Sequence, residues 1–257
     1  MILDKIVEDK KIRLKEHKDR IGINEMIRNS GMSPYRQHGF YEALKAPGIS
    51  IIGEYKQSSP SRGNMEIKVP LEKRIEDYNS SVDAVSCLTE EDHFSGSAEI
   101  FRGMREGITL PMLRKDFMID EYQFYEARYI GADAVLLIAA ILDDVMMKDF
   151  YQLARELSLD VLFESHDEYE LDRVLNLDPR IVGVNNRDLN DFTISLDTTE
   201  RLRQMVPGDK VFVSESGIMT DDDVLRLKEN EVDAFLIGQA LMESSDPRET
   251  AKRWKAL

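Results

Sequence analysis

The 257 residues include a single cysteine, Cys87. No disulfide can form within the chain, and a reducing, cytoplasmic setting is expected. Cys87 lies inside the apolar run AVSCL and reads as a packed core thiol rather than a nucleophile. No apolar run approaches the ~20 residues of a membrane span. The opening stretch, MILDKIVEDKKIRLKEHKDR, is charged throughout and lacks the apolar core of a secretory signal. Net positive charge is absent too. Lys and Arg number 34 against 49 Asp and Glu, a formal net charge of −15. Such a chain has no field to draw a nucleic acid or an anionic membrane. A small anion would need a local cluster of Lys, Arg and backbone N–H groups. His17, His38, His93 and His166 show no metal-ligand spacing, so no metal is implied. No Gly-rich dinucleotide fingerprint follows the first apolar run, and no Gly/Ser/Pro-rich linker precedes it.

What is present is a repeat. Eight short runs rich in Val, Ile and Leu recur: ISIIGEY from Ile49, AVSCLT from Ala84, LPMLRKD from Leu110, AVLLIAA from Ala134, DVLFES from Asp160, IVGVNN from Ile181, KVFVSES from Lys210 and AFLIGQ from Ala234. Most are near-continuous apolar runs, as parallel strands buried on both faces require. Helical patterns lie between them. DEYQFYEARYIG has Asp120 as a candidate N-cap and stops at Gly131, while TDDDVLRLKENEVDA has Thr220 as N-cap and acidic residues in its first turn. DVMMKDFYQLARELS and SLDTTERLRQMV carry apolar residues at helical spacing. Eight strands alternating with helices predict an α/β fold of the (β/α)8, TIM-barrel kind. A doubly wound open sheet is the alternative. Residues 1–48, with helical LDKIVEDKKIRLKEHK and FYEALK, read as an N-terminal extension packed on a barrel of residues 49–257 in one domain.

The strand ends are polar. In a strand, residues i and i+2 share a face. Glu54 and Lys56 therefore share the face of Ile52, Lys115 that of Leu113, Glu164 that of Leu162, and Asn185 and Arg187 that of Ile181 and Gly183. Glu215 and Ser216 close the seventh run and Gly238 the eighth. Barrel active sites sit at the C-terminal strand ends. Lysines and glutamates converging on one face imply mutual pairing and shifted pKa values, which acid–base chemistry near neutral pH needs. Gly217 in ESGI and Gly238 in IGQALM let backbone N–H groups approach an anion in the two loops that hold phosphate in many such barrels. Phe94 and Phe117 follow the second and third runs, a position that suits either the flank of an aromatic ligand or core or loop packing.

IIGEYKQSSPSRG, LPMLRKDFMIDEYQFYEARYIGADAVLLI, VGVNNRDL, VSESGI and FLIGQALM together resemble the indole-3-glycerol phosphate synthase family, over essentially the whole chain. The resemblance implies closure of 1-(2-carboxyphenylamino)-1-deoxyribulose 5-phosphate to indole-3-glycerol phosphate, with loss of carbon dioxide and water, in tryptophan biosynthesis. It implies no metal and no organic cofactor. By motif, Lys115 resembles the general acid of ring closure and Glu164 the acid/base of dehydration. Glu54 resembles the partner that orients the lysine, and Lys56 the lysine that holds the carboxylate. Asn185 and Ser216 resemble residues that position the reacting centre. Ser59, Gly217, Gly238 and Gln239 resemble phosphate contacts, Phe94 and Phe117 the wall around the ring, and Arg187 and Glu215 further substrate contacts. Gln57, Gln239 and Gly53 depart from the residues commonest in the family. The expected partner is a small substrate bearing phosphate and carboxylate, with no nucleic acid, no membrane, and a monomeric chain. Another phosphate-binding barrel enzyme, such as a sugar-phosphate isomerase or decarboxylase, and a non-catalytic binding barrel are the alternatives.

Overall fold

The computed structural model describes residues 2–35, 37–59, 63–64, 69–188 and 192–257. Each of the eight apolar runs is a strand: β1 Ser50–Tyr55, β2 Ala84–Leu88, β3 Met112–Lys115, β4 Ala134–Ile138, β5 Asp160–Ser165, β6 Ile181–Asn185, β7 Val211–Glu215 and β8 Ala234–Ile237. They pair in parallel, each with its neighbours in sequence, and β8 closes on β1. Closure removes every sheet edge, and the open-sheet alternative falls. Period-two alternation splits the apolar side chains into two cores. Ile52, Leu113, Leu136, Leu162, Val213 and Leu236 fill the barrel interior. Ile51, Val85, Cys87, Phe163, Phe212 and Phe235 face the surrounding helices. Tyr55 faces outward as its parity predicts. Gly53 leaves room for Tyr78, whose ring would lie 3.2 Å from an added Cβ and whose hydroxyl donates to the Glu54 carbonyl at 3.0 Å.

The N-terminal segment forms α1 Ile2–Arg20, α2 Ile23–Gly31 and α3 Phe40–Leu44. α3 closes the bottom of the barrel with Phe40 and Leu44, and its Tyr41 N–H donates to Asp160 at the start of β5 at 2.9 Å. α1 crosses the opposite end. Its Ile6 joins the interior core, and its buried Lys10 pairs with Asp116, just past β3, at 2.8 Å. α2 was not singled out by the sequence patterning, being short and rich in Asn, Ser and Gly. It packs Met26 in a small cluster with Tyr122.

The barrel helices are α4 Leu71–Asn79, α5 Ala98–Gly107, α6 Tyr122–Ile130, α7 Asp144–Glu156, α8 Glu168–Leu175, α9 Asp197–Arg203, α10 Asp221–Glu229, α11 Gln239–Glu243 and α12 Pro247–Ala256. Thr220 and Asp223 form a reciprocal capping box at the start of α10. Gly131 ends α6 in the left-handed region, φ 89°. The start of α6 differs from expectation. Asp120 accepts from the Tyr122 N–H at 3.0 Å, but the helix begins at Tyr122 because the Gln123 side chain takes the N–H groups of Ile119 and Asp120. No described helix is long and apolar enough to cross a membrane.

Candidate active site

The inward parity of β1, β3, β5, β6 and β7 ends at one place. Glu54, Glu164 and Glu215 are buried there, with Asn185 beside them. Lys115 Nζ donates to Glu164 Oε2 at 2.9 Å and also to Glu215 Oε2. Lys56 Nζ donates to Glu54 Oε1 at 2.5 Å. Asn185 Nδ2 donates to Glu164 Oε1 at 3.2 Å, and Asn185 Oδ1 accepts from the Arg187 N–H at 3.1 Å. Two glycines make this crowding feasible. A Cβ on Gly183 would sit 2.6 Å from Glu215 Oε1, and one on Gly238 would overlap Glu54 Oε1 and lie 3.0 Å from Lys56 Nζ. Gly238 thus makes room for the carboxylate, a requirement its place just after the eighth strand does not reveal.

The cluster sets three carboxylates against two ammonium groups. Burial would raise the carboxyls of Glu54 and Glu164. Lys56 and then Lys115 together more than offset this at Glu54, as Lys115 and then His166 do at Glu164, and both are held below the usual range. Burial pushes Glu215 up to about 7, because the pull of Lys115 is smaller than burial and the repulsion of Glu164 together. Burial works against the Lys115 ammonium, yet Glu164, Glu215 and Glu54 hold it well above an ordinary lysine. The arrangement can therefore keep a proton on Lys115 and lose one from Glu215 near neutrality. Glu215 is a direct partner of Lys115, a closer relation than the substrate contact expected of it.

Lys56, Lys115, Glu164, Asn185, Arg187, Ser216, Gly217, Gly238 and Gln239 line a single cavity with Glu54 and Glu215. Its apolar wall comes from Phe94 and Phe117, ring centroids 6.1 Å apart and tilted by 39°, and from Ile2, Leu3 and Ile6 of α1. The contribution of α1 is invisible to strand-end reasoning. Phe94 is fixed because the buried Glu90 carboxylate accepts the N–H groups of His93 and Phe94. Ser216 and Gly217 are consecutive left-handed residues, φ 65° and 82°. A Cβ on Gly217 would lie 2.6 Å from Ile194 Cγ2. The Ser216 carbonyl is held by Asn186 Nδ2 at 3.1 Å, and Asn186 also bonds Ser214 and Thr199. Asn186 was not among the expected site residues. Its outward parity, opposite Asn185, makes it a clamp on the loop. The Ser59 backbone pairs with Gly63 in a two-residue ladder, but its side chain lies outside the described residues.

His166 is a second residue the sequence reading passed over. Its lack of metal-ligand spacing hides its other property: the run ESH places it two residues beyond Glu164. Its Nε2 lies 3.4 Å from Glu164 Oε1 and its Nδ1 3.0 Å from Glu170 Oε2. Among the described residues, no group of three or more His, Cys, Asp or Glu could hold a metal ion.

Fold and site together define a (β/α)8-barrel enzyme whose C-terminal strand ends gather paired lysines and glutamates around one cavity. The family model described as indole-3-glycerol phosphate synthase matches residues 3–254. The chain is 54% identical over 260 residues to indole-3-glycerol phosphate synthase of Lachnospira eligens, covering 99% of this chain and 97% of the relative. It is 45% identical over 262 residues to that of Acetivibrio thermocellus, covering 100% of both. The chain belongs to the indole-3-glycerol phosphate synthase family. Among solved structures, 3-hexulose-6-phosphate synthase from Salmonella typhimurium superposes with a TM-score of 0.64 at 12% identity, over 80% of this chain and 97% of that one. Thiamine phosphate pyrophosphorylase from Pyrococcus furiosus gives 0.59 at 14% identity, over 85% and 96%. At such identities the likeness is one of fold alone.

Proposed function

We propose that this chain closes 1-(2-carboxyphenylamino)-1-deoxyribulose 5-phosphate to indole-3-glycerol phosphate, releasing carbon dioxide and water. The observation that carries the reading is Lys115, half-buried at the barrel mouth between the buried carboxylates of Glu164 and Glu215 and facing the cavity that Phe94 and Phe117 wall. In this mechanism the aromatic ring of the substrate lies against those phenylalanines. Lys56 pairs with its carboxylate. The ring carbon bearing that carboxylate attacks the ketone, and Lys115 gives its proton to the oxygen as the charge develops. Breaking the bond to carbon dioxide returns an electron pair to the ring. Glu164 then assists departure of the hydroxyl as water, held in line by Asn185, and Glu54 orients Lys56. Ser216 and Arg187 contact the chain of the substrate.

The phosphate lies against the backbone of Gly217 and Gly238 and beside Gln239, with Ser59 as a further contact. The helical extension is part of the same unit, because Ile2, Leu3 and Ile6 supply cavity wall. A cytoplasmic monomer fits a chain whose single thiol is buried and whose substrate is small and phosphorylated. The test is direct. Purified protein is mixed with the carboxyphenylamino sugar phosphate, without added metal, while the indole absorbance band and carbon dioxide are followed. A folded protein that forms neither product overturns the proposal.

A further inference from the structure

We infer that His166 passes protons from a second, polar cavity to Glu164, and so supplies the proton that each turnover consumes. The inference rests on the reaction proposed above. In that reaction a carboxylate leaves as neutral carbon dioxide, and the bond broken leaves its electron pair on the ring. The ketone oxygen leaves as water and needs two protons. One is returned by the substrate, from the carbon that becomes the indole C–H. The other must come from solvent.

The mouth gives that proton a poor path once substrate is bound. Ile2, Leu3, Ile6, Phe94 and Phe117 wall it with apolar side chains. Behind Glu164 the wall is polar. His166 and Glu170 border a second cavity, which also reaches Lys11 and Arg201, and Asn185 and Arg187 border both cavities. His166 stands between the two. Its Nδ1 pairs with Glu170 Oε2 at 3.0 Å, and the same oxygen accepts the His166 backbone N–H at 2.8 Å. Its Nε2 is buried, makes no hydrogen bond among the described residues, and points at Glu164 Oε1 from 3.4 Å. That separation exceeds an ordinary N–H···O bond. A small approach of either group closes it.

The charge state suits a donor. Burial would lower the imidazole pKa, but Glu164 and Glu170 push it up to about 10, so His166 enters the cycle protonated. While Lys115 holds Glu164, the carboxylate has little proton affinity. When Lys115 has given its proton to the substrate oxygen, Glu164 loses its strongest counter-ion and becomes basic enough to take the Nε2 proton. The ring then keeps its other proton on Nδ1. A turn about Cβ–Cγ moves the bare Nε2 to the edge of the ring that had faced Glu170 and the polar cavity, where it can be protonated again before the ring turns back.

The experiment compares parent, His166→Ala and His166→Asn in single-turnover ring closure, with and without added imidazole, in H2O and D2O. Parent turnover establishes the reaction itself; a folded parent that makes no product overturns the proposed function rather than the relay. For His166→Ala the expected result is a rate lower by roughly 10- to 100-fold, substrate-analogue affinity changed less than about threefold, a larger solvent isotope effect, and partial restoration by imidazole. His166→Asn keeps an amide donor for Glu170, and it carries the measurement if the alanine variant fails to fold. A folded variant with the parent rate overturns the relay. So does a slow variant with an unchanged isotope effect and no imidazole rescue, which would make His166 a structural brace.

Discussion

Replacing Lys115 by Met keeps the apolar stem and deletes the charge, and its effect on stability can be worked from the site. At the 2.9 Å between Lys115 Nζ and Glu164 Oε2, and an effective dielectric of about 20, the lost attraction is of order 6 kcal/mol. The folded variant does not bear that cost, because a cheaper route exists. Glu164 can take a proton. Its ordinary pKa is 4.5, so holding it neutral at pH 7.5 costs about 4 kcal/mol, and at pH 5 less than about 1 kcal/mol. The smaller quantity sets the bound, and the pairing of His166 with Glu164 lowers it further. In the parent, the depressed Glu164 pKa adds stability above pH 4.5 that is lost as pH falls. In the variant, burial raises that pKa, so stability is lost as pH rises. The gap should therefore open from about pH 4.5 upward, reaching roughly 2–4 kcal/mol at pH 7.5.

Urea unfolding at pH 5.0 and 7.5 measures the gap. Adding Glu164→Gln to Lys115→Met should recover most of the stability and none of the turnover. Turnover of the single variant should fall by about 10²–10⁴-fold. A gap that does not grow with pH, or a folded variant within a few-fold of parental turnover, refutes the reasoning.

Gly238→Ala should lower kcat by roughly tenfold or more, and not merely raise KM, since the new Cβ displaces Glu54 and Lys56; steady-state kinetics on the folded variant decide. Glu215→Gln should stabilise the protein by about 3 kcal/mol at pH 8 and not at all at pH 4, because the raised Glu215 pKa costs stability as pH climbs from 4.5 through about 7 and glutamine cannot ionise. Unfolding curves with equal midpoint shifts at both pH values would contradict this. Lys10→Met leaves the buried Asp116 with Arg114 as its one ion-pair partner among the described residues, beside the hydrogen bonds from Thr89 and the Phe117 N–H, and a loss of about 3 kcal/mol is expected; an unchanged urea midpoint would show that the α1 contact is not a stabilising one.

The barrel was legible in the chain because a buried parallel strand must be apolar on both faces, and eight such runs punctuated by helical patterns admit few folds. The inward side chains were legible by period two: Glu54, Lys115, Glu164 and Asn185 point where alternation sends them. The family was legible from EYKQSSPS, LRKDF and NNRDL. Relations between strands were not. That Lys115 answers to Glu215, 100 positions away, depends on barrel closure and on the room left by Gly183. That Gly238 yields space to Glu54 depends on the pairing of β8 with β1. The placing of Ile2 and Ile6 over the mouth, and of His166 behind Glu164, follows from how α1 and the turn before α8 pack on the finished barrel. A sequence records each side chain's periodicity along its own strand. Distances across the barrel, and the pKa values they set, exist only once the sheet has closed and buried the carboxylates at its mouth.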